Sequence, residues 1–167
     1  MLLQTWQWIG RGGLSCTVHV VAGYSGTPLA KKLGIKADHR IGVLGAPDGF
    51  VIAEVPDGVV LSPELTTSPS ATRTPLDLVL AFDTRRADRA ERLPGLMRAI
   101  RVDGSLWVAW PKRSSGVETD ITEDVVRDVA LPSGLVDNKV CAVDDVWSGL
   151  RLVLRKELRP GRTTLAG

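Results

Sequence analysis

Three short stretches hold the residue types that could act on a ligand. Gly45-Ala46-Pro47-Asp48-Gly49 leaves one apolar run, Asp83-Thr84-Arg85-Arg86 follows a second, and Trp110-Pro111-Lys112 closes a third. A glycine-bearing turn between strand and helix can offer free backbone N–H groups to a phosphate. Gly45 and Gly49 are the glycines of this turn, although the G-x-G-x-x-G spacing is absent and Pro47 removes a donor. Asp83 is a carboxylate at a strand end. Arg85, in the first turn of the next helix, opposes the helix dipole, and such a misfit can mark a binding role. Trp110 offers a stacking face and Lys112 a point charge for an anion. The ligand-binding candidates are therefore Gly45, Gly49, Asp83, Arg85, Trp110 and Lys112.

Each candidate also has a plain structural account. The loop at Gly45–Phe50 reads as a tight turn with a proline at the start of a short helix. Asp83 or Thr84 serves as a helix cap. Trp107 and Trp110 differ by an odd step, which puts them on opposite faces of a strand and leaves Lys112 to reach solvent. No set of nucleophile and base is apparent. His39 is the only histidine outside the first 22 residues, and it precedes a strand. Asp144 and Asp145 have no further ligands nearby in sequence, and turn chemistry accounts for them. No catalytic or metal-binding residue is assigned, and no cofactor is named.

The elements that position these residues follow from hydrophobic pattern. Leu76–Phe82 and Ser105–Trp110 are apolar runs with the composition of buried strands. Between them lie Ala90, Leu93, Met97 and Ile100 at helical spacing, then the turn pair Asp103-Gly104. Strand, helix and strand in that order make a right-handed crossover with parallel strands. Pro94 is expected to split the helix into two short pieces. Upstream, Thr27 as cap and Pro28 as first-turn residue open a helix over LAKKL, closed by Gly34. Arg40–Leu44 and Gly58–Leu61 are strands, and Ser62–Pro75 is a surface loop. Asp120–Glu123 reads as a capping box for a helix through Val125–Ala130 that ends before Pro132 and Gly134. Leu135–Val143 and Gly149–Leu154 form an antiparallel hairpin.

Together these predict a three-layer, Rossmann-like α/β domain: a mostly parallel sheet of about six strands with the C-terminal antiparallel hairpin at one edge. The expected order places Gly58–Leu61 and Arg40–Leu44 beside Leu76–Phe82, followed by Ser105–Trp110 and the hairpin. The switch point then lies between Arg40–Leu44 and Leu76–Phe82, so a ligand is expected above Gly45 and Asp83. The domain runs over residues 23–156. Residues 1–22 form a disordered leader or an early start, and 157–167 a polar tail.

Length and composition suit one soluble domain: 167 residues, 44% hydrophobic, 24% charged, net charge +2. Basic and acidic residues are interleaved, so nucleic-acid binding is not expected. No apolar run reaches the roughly 18 residues of a membrane span. Cys16 and Cys141 lack C-x-x-C spacing and fit a reducing compartment, so the expected location is cytoplasmic. A protein partner or self-association stays open.

Four segments carry a resemblance: GYSGTPLAKKLGI at Gly23–Ile35, LWVAWPK at Leu106–Lys112, TDITEDVVRDVAL at Thr119–Leu131 and DNKVCAVDDVWSGLRLV at Asp137–Val153. They resemble an uncharacterised bacterial domain-of-unknown-function family, prevalent in actinobacteria. That resemblance implies a start near Val21 and no established activity. At the level of fold, Leu76–Leu154 is similar to the second half of class I S-adenosylmethionine-dependent methyltransferases. There the order is strand, helix, strand, helix and an antiparallel pair. The chain departs from that pattern in three places. The loop at Gly45–Phe50 lacks the glycine pattern, Gly45–Pro75 has room for one short strand where that fold needs two, and Glu64 is a poor candidate for holding a ribose.

The function expected from all this is a non-catalytic, Rossmann-like module that binds a ligand or partner. The alternative is a small enzyme of methyltransferase-like ancestry, with a nucleotide-type cofactor at the C-terminal edge of the sheet. The sequence does not decide catalysis and leans against it.

Overall fold

Leu76–Phe82, strand β5, is buried at six of its seven positions. A strand with no polar face must lie inside a sheet that is covered on both sides. The computed structural model describes the backbone of residues 4–9 and 13–18 and the full residues 26–62 and 74–159. In it β5 is an inner strand of a six-stranded sheet, together with β3 (Arg40–Leu44), β4 (Val60–Ser62), β6 (Ile100–Pro111), β7 (Leu135–Ala142) and β8 (Trp147–Leu154). The order β4-β3-β5-β6-β8-β7 is the one expected. β3, β4, β5 and β6 are mutually parallel, while β8 runs antiparallel to β6 and β7 antiparallel to β8.

Two apolar layers cover the sheet. On one face α2 (Arg86–Ala99) and α3 (Glu123–Ala130) bury Leu93, Leu96, Ala99, Val126 and Ala130 against Val79, Ala81, Val108 and Trp110. On the other, α1 (Leu29–Leu33) brings Ala30 and Leu33 against Ile41, Leu78, Leu80 and Trp107. Trp107 and Trp110 therefore do lie on opposite faces. The Trp107 indole N–H donates to the Leu33 carbonyl at 3.0 Å, which joins α1 to the sheet. On the first face Arg127 of α3 donates through Nε to Asp137 of β7 at 3.0 Å and also pairs with Glu123.

Local expectations fail where tertiary contacts outweigh them. Pro94 does not divide α2, which runs unbroken over 14 residues. Buried side chains on both sides of the proline, Arg89 and Leu93 before it and Leu96 and Ala99 after it, hold the two halves on one line. Asp103-Gly104 is not a turn; it lies within β6, where the pairing with β5 shifts between Leu76 and Leu78. A Cβ on residue 104 would stand 3.0 Å from the Asp77 carbonyl oxygen, so glycine lets this irregular stretch lie close against β5. No helix follows the Gly45 loop among the described residues. The chain from Gly45 to Val59 instead crosses as turns, with Phe50 and Ile52 packed on the α1 face. Pro47, Pro56 and three glycines leave no run long enough for a helix there. Thr27 does not cap α1, whose N-cap is Pro28, but Gly34 closes it at φ +82° as expected. Residues 1–22 were expected as a disordered leader or an early start, yet Gln4–Ile9 (β1) and Gly13–Val18 (β2) within them pair as an antiparallel hairpin in a separate sheet. Glu64, most of the Ser62–Pro75 loop and the tail from 160 onward lie outside the described residues.

Trp107 holds two layers together, so Trp107→Ala should lower the unfolding free energy by about 3–5 kcal/mol, the usual cost of emptying a large aromatic site. Urea denaturation followed by circular dichroism measures it. A loss under about 1 kcal/mol would show that α1 is not held through this residue.

Candidate functional site

Asp83 is the first residue after β5, and its N–H donates to the Ala109 carbonyl of β6 at 3.0 Å. That bond continues the ladder and directs the side chain toward α2. The carboxylate is wholly buried and both of its oxygens are taken. Arg89 Nη1 donates to Oδ2 at 2.9 Å and Arg92 Nη1 to Oδ1 at 2.8 Å. Arg89 is 1% exposed and Arg92 38%. Burial pushes the Arg89 guanidinium below its ordinary pKa, an effect opposed by Asp83 and reinforced by Arg92. Two cations meet on this one carboxylate, and Asp88 on the same helix acts on Arg92 as well as on Arg85.

The helix N-terminus above this cluster is closed from across the molecule. Asp83 and Thr84 were expected to cap α2, yet its N-cap is Arg85, with no side-chain cap of its own. Instead Asp120 Oδ1 accepts the Arg86 N–H at 2.6 Å, and Thr119 Oγ1 donates to the Thr84 carbonyl at 2.7 Å. Asp120 is thus not the cap of α3. That role belongs to Thr122, whose hydroxyl accepts the Val125 N–H at 3.3 Å.

Of the six sequence candidates, the structure brings Gly45 and Asp83 together. Gly45 has φ +67°, and a Cβ there would lie 2.7 Å from the Phe82 carbonyl oxygen and 3.8 Å from Arg92 Nη1. The other four are engaged elsewhere. Gly49, at φ +76°, turns the chain so that Phe50 meets Phe82 edge-on at 4.8 Å, and Phe82 in turn meets Trp147 at 5.0 Å. Arg85 is 71% exposed and paired with Asp88 one turn along at 2.9 Å. Trp110 is buried in the α2–α3 layer, so its ring faces are spent on packing. Lys112 does not end free in solvent; its Nζ donates to the Asp144 carbonyl at 2.6 Å. Asp144 itself makes a turn, its Oδ1 accepting the N–H groups of Val146 and Trp147 at 2.8 and 2.7 Å.

Arg89 and Arg92 were missed by the sequence reading, although a signal existed. Arg89, Leu93, Leu96 and Ala99 form one helical stripe, and a cation at its head is a charge placed on a buried face. Chemically the cluster acts as a lock: the Asp83 carboxylate is held by a guanidinium at each oxygen and is wholly buried, so its remaining lone pairs do not face solvent. His39 Nδ1 accepts the Lys36 N–H at 3.3 Å and is not part of the cluster. Among the described residues no three metal-ligating side chains come together, and no helix is long and apolar enough to cross a membrane.

Two measurements follow from these contacts. Asp83→Asn leaves Arg89 buried without its counter-charge and should cost about 3–5 kcal/mol in urea denaturation; a loss below about 1 kcal/mol would mean that the pair carries no structural load. The Cys141 thiol is half-buried, and that burial raises its pKa, so less thiolate is present at a given pH. In a Cys16→Ser variant, iodoacetamide at pH 8 should therefore label Cys141 more slowly than it labels a free thiol. Equal or faster labelling would contradict the burial.

No family model matches the sequence, and no curated protein matches it. The resemblance to the uncharacterised bacterial family therefore gains no support, whereas the fold-level resemblance does. An S-adenosylmethionine-dependent methyltransferase from Aquifex aeolicus superposes with a TM-score of 0.57 at 14% identity, over 74% of this chain and 86% of that one. The fibrillarin pre-rRNA processing protein of Methanococcus jannaschii gives 0.53 at 12%, over 91% and 83%. The ribosomal protein L11 methylase of Lactobacillus delbrueckii subsp. bulgaricus gives 0.51 at 10%, over 76% and 75%. At these identities the likeness is one of fold: the chain has the Rossmann-like α/β architecture that S-adenosylmethionine-dependent methyltransferases also have.

Proposed function

We propose that the chain is a non-catalytic ligand- or partner-binding module built on a methyltransferase-like fold and working in the cytoplasm. One observation carries this reading. In open α/β sheets ligands bind at the carboxyl ends of the strands, in the crevice at the switch point. Here that place, between β3 and β5, holds the chain's own Asp83, Arg89 and Arg92, with Gly45 close against the Phe82 carbonyl. S-adenosylmethionine, the cofactor that the fold implies, does not fit these residues. The space beside Gly45 is taken by Phe82 O and Arg92, and the Asp83 carboxylate, paired with two guanidiniums, is wholly buried away from any ligand hydroxyl. A shared fold does not carry activity with it.

The second reading, a small methyltransferase, is favoured by the superposition on the Aquifex aeolicus enzyme over 86% of that chain. Isothermal titration of the full chain with S-adenosylmethionine and S-adenosylhomocysteine separates the two. The module reading expects no saturable heat up to millimolar cofactor. Saturable binding of either compound would overturn it and put the enzyme first.

A further inference from the structure

The Asp83 cluster leaves one edge of a buried guanidinium without a partner. Asp83 supplies one negative charge against the two guanidiniums of Arg89 and Arg92. It takes Arg89 through Nη1 alone. Among the described residues the other edge of that guanidinium, Nε together with Nη2, has no hydrogen-bond partner although the side chain is buried. Nε and Nη2 point the same way and form the fork by which arginine grips two oxygens of a carboxylate or a phosphate. A buried donor left unpaired loses its bonds to water and gains nothing in return. Arg40 and Arg151 each have a single unpaired Nε, whereas Arg89 has the whole fork empty.

We propose that Arg89, with Arg92 beside it, is an oxyanion site that takes the carboxylate or phosphate group of a small ligand. The proposal deepens the module reading and rests on it. Asp83 holds Arg89 by Nη1 and so orients the fork. The fork is sealed in this structure, so a side chain must move to admit an anion, and Arg92 shares Asp83 with Arg89. The long Arg92 side chain is partly exposed and swings away from Asp83 to meet the incoming anion. The ligand's two oxygens satisfy the two orphan donors.

Thermal unfolding of the full chain tests this. The melting temperature is followed in inorganic phosphate and in acetate against chloride at equal ionic strength. The expected result is a saturable rise with at least one of the two, about 5–10 °C at 100 times the dissociation constant. The anion that gives the rise tells phosphate from carboxylate. Arg89→Lys keeps the charge but loses the fork and should abolish the rise. Arg92→Gln, at a partly exposed position that tolerates change, should weaken it roughly tenfold. Phosphate also stabilises proteins by general exclusion. A rise that does not saturate, or that persists undiminished in Arg92→Gln, therefore overturns the proposal, and so does no rise with either anion. The cofactor titration keeps the two readings apart. Binding of S-adenosylmethionine sinks the module reading whatever the anions do, whereas flat anion responses without cofactor binding sink the oxyanion site alone.

Discussion

Covering the central strands on both faces is the constraint on which the rest of this structure depends. From Leu76 to Phe82 only Asp77 is partly exposed, and β6 is buried from Gly104's neighbour Ser105 through Pro111. Such strands are stable only as the middle of a sheet with apolar layers above and below. The α2–α3 pair meets that need on one side. On the other side the described residues supply a five-residue helix and the Gly45–Val59 crossing. The Trp107 indole fills that layer and bonds to the last residue of α1. The Phe50, Phe82 and Trp147 rings extend the same cover toward the C-terminal edge of the sheet.

That edge is where the chain keeps its least ordinary interactions. Burying an ion pair costs several kcal/mol per ion before attraction repays it, so such pairs are a weak device for stability alone. Here two arginines from adjacent turns of α2 converge on one carboxylate, and only one of them reaches solvent. The arrangement fixes the height of α2 over the sheet, because Asp83 is itself bound to β6 through its backbone. The same helix is capped by Asp120 from the loop before α3, which ties the two helices of this layer to each other. Charge and capping thus converge on one corner of the molecule, the corner where a doubly wound sheet usually receives its ligand.

Likeness to methyltransferases extends over most of the chain yet stops at the level of strands and helices. The solved structures align with 10–14% identity in the cases above TM-score 0.5. Sheet order and crossover handedness follow from burial and chirality, which many unrelated sequences satisfy. A cofactor site makes narrower demands on single residues. Gly45 and Asp83 lie at the carboxyl ends of β3 and β5, and their neighbours turn them to packing and to an ion pair.

The sequence by itself determined the architecture. The apolar runs at Arg40–Leu44 and Leu76–Phe82, the helical spacing of Leu93 and Met97 and the short link at Asp144–Ser148 were enough for the sheet order, because period and loop length act locally. It also determined the opposite facing of Trp107 and Trp110 and the left-handed stop at Gly34. Only the tertiary structure decided what the polar residues do. Asp83 is a helix cap by local rule, and it became the centre of an ion cluster because the stripe shared with Leu93 and Leu96 turns Arg89 onto the sheet, and Arg92 reaches the same carboxylate from beside it. Asp120 caps the wrong helix by sequence distance and the right one by position in space. Pro94 stays inside α2 because buried residues on either side outweigh one missing hydrogen bond. Hydrophobic period is carried by neighbours along the chain, whereas the partner of a charged or capping group is set by which segments the fold brings together.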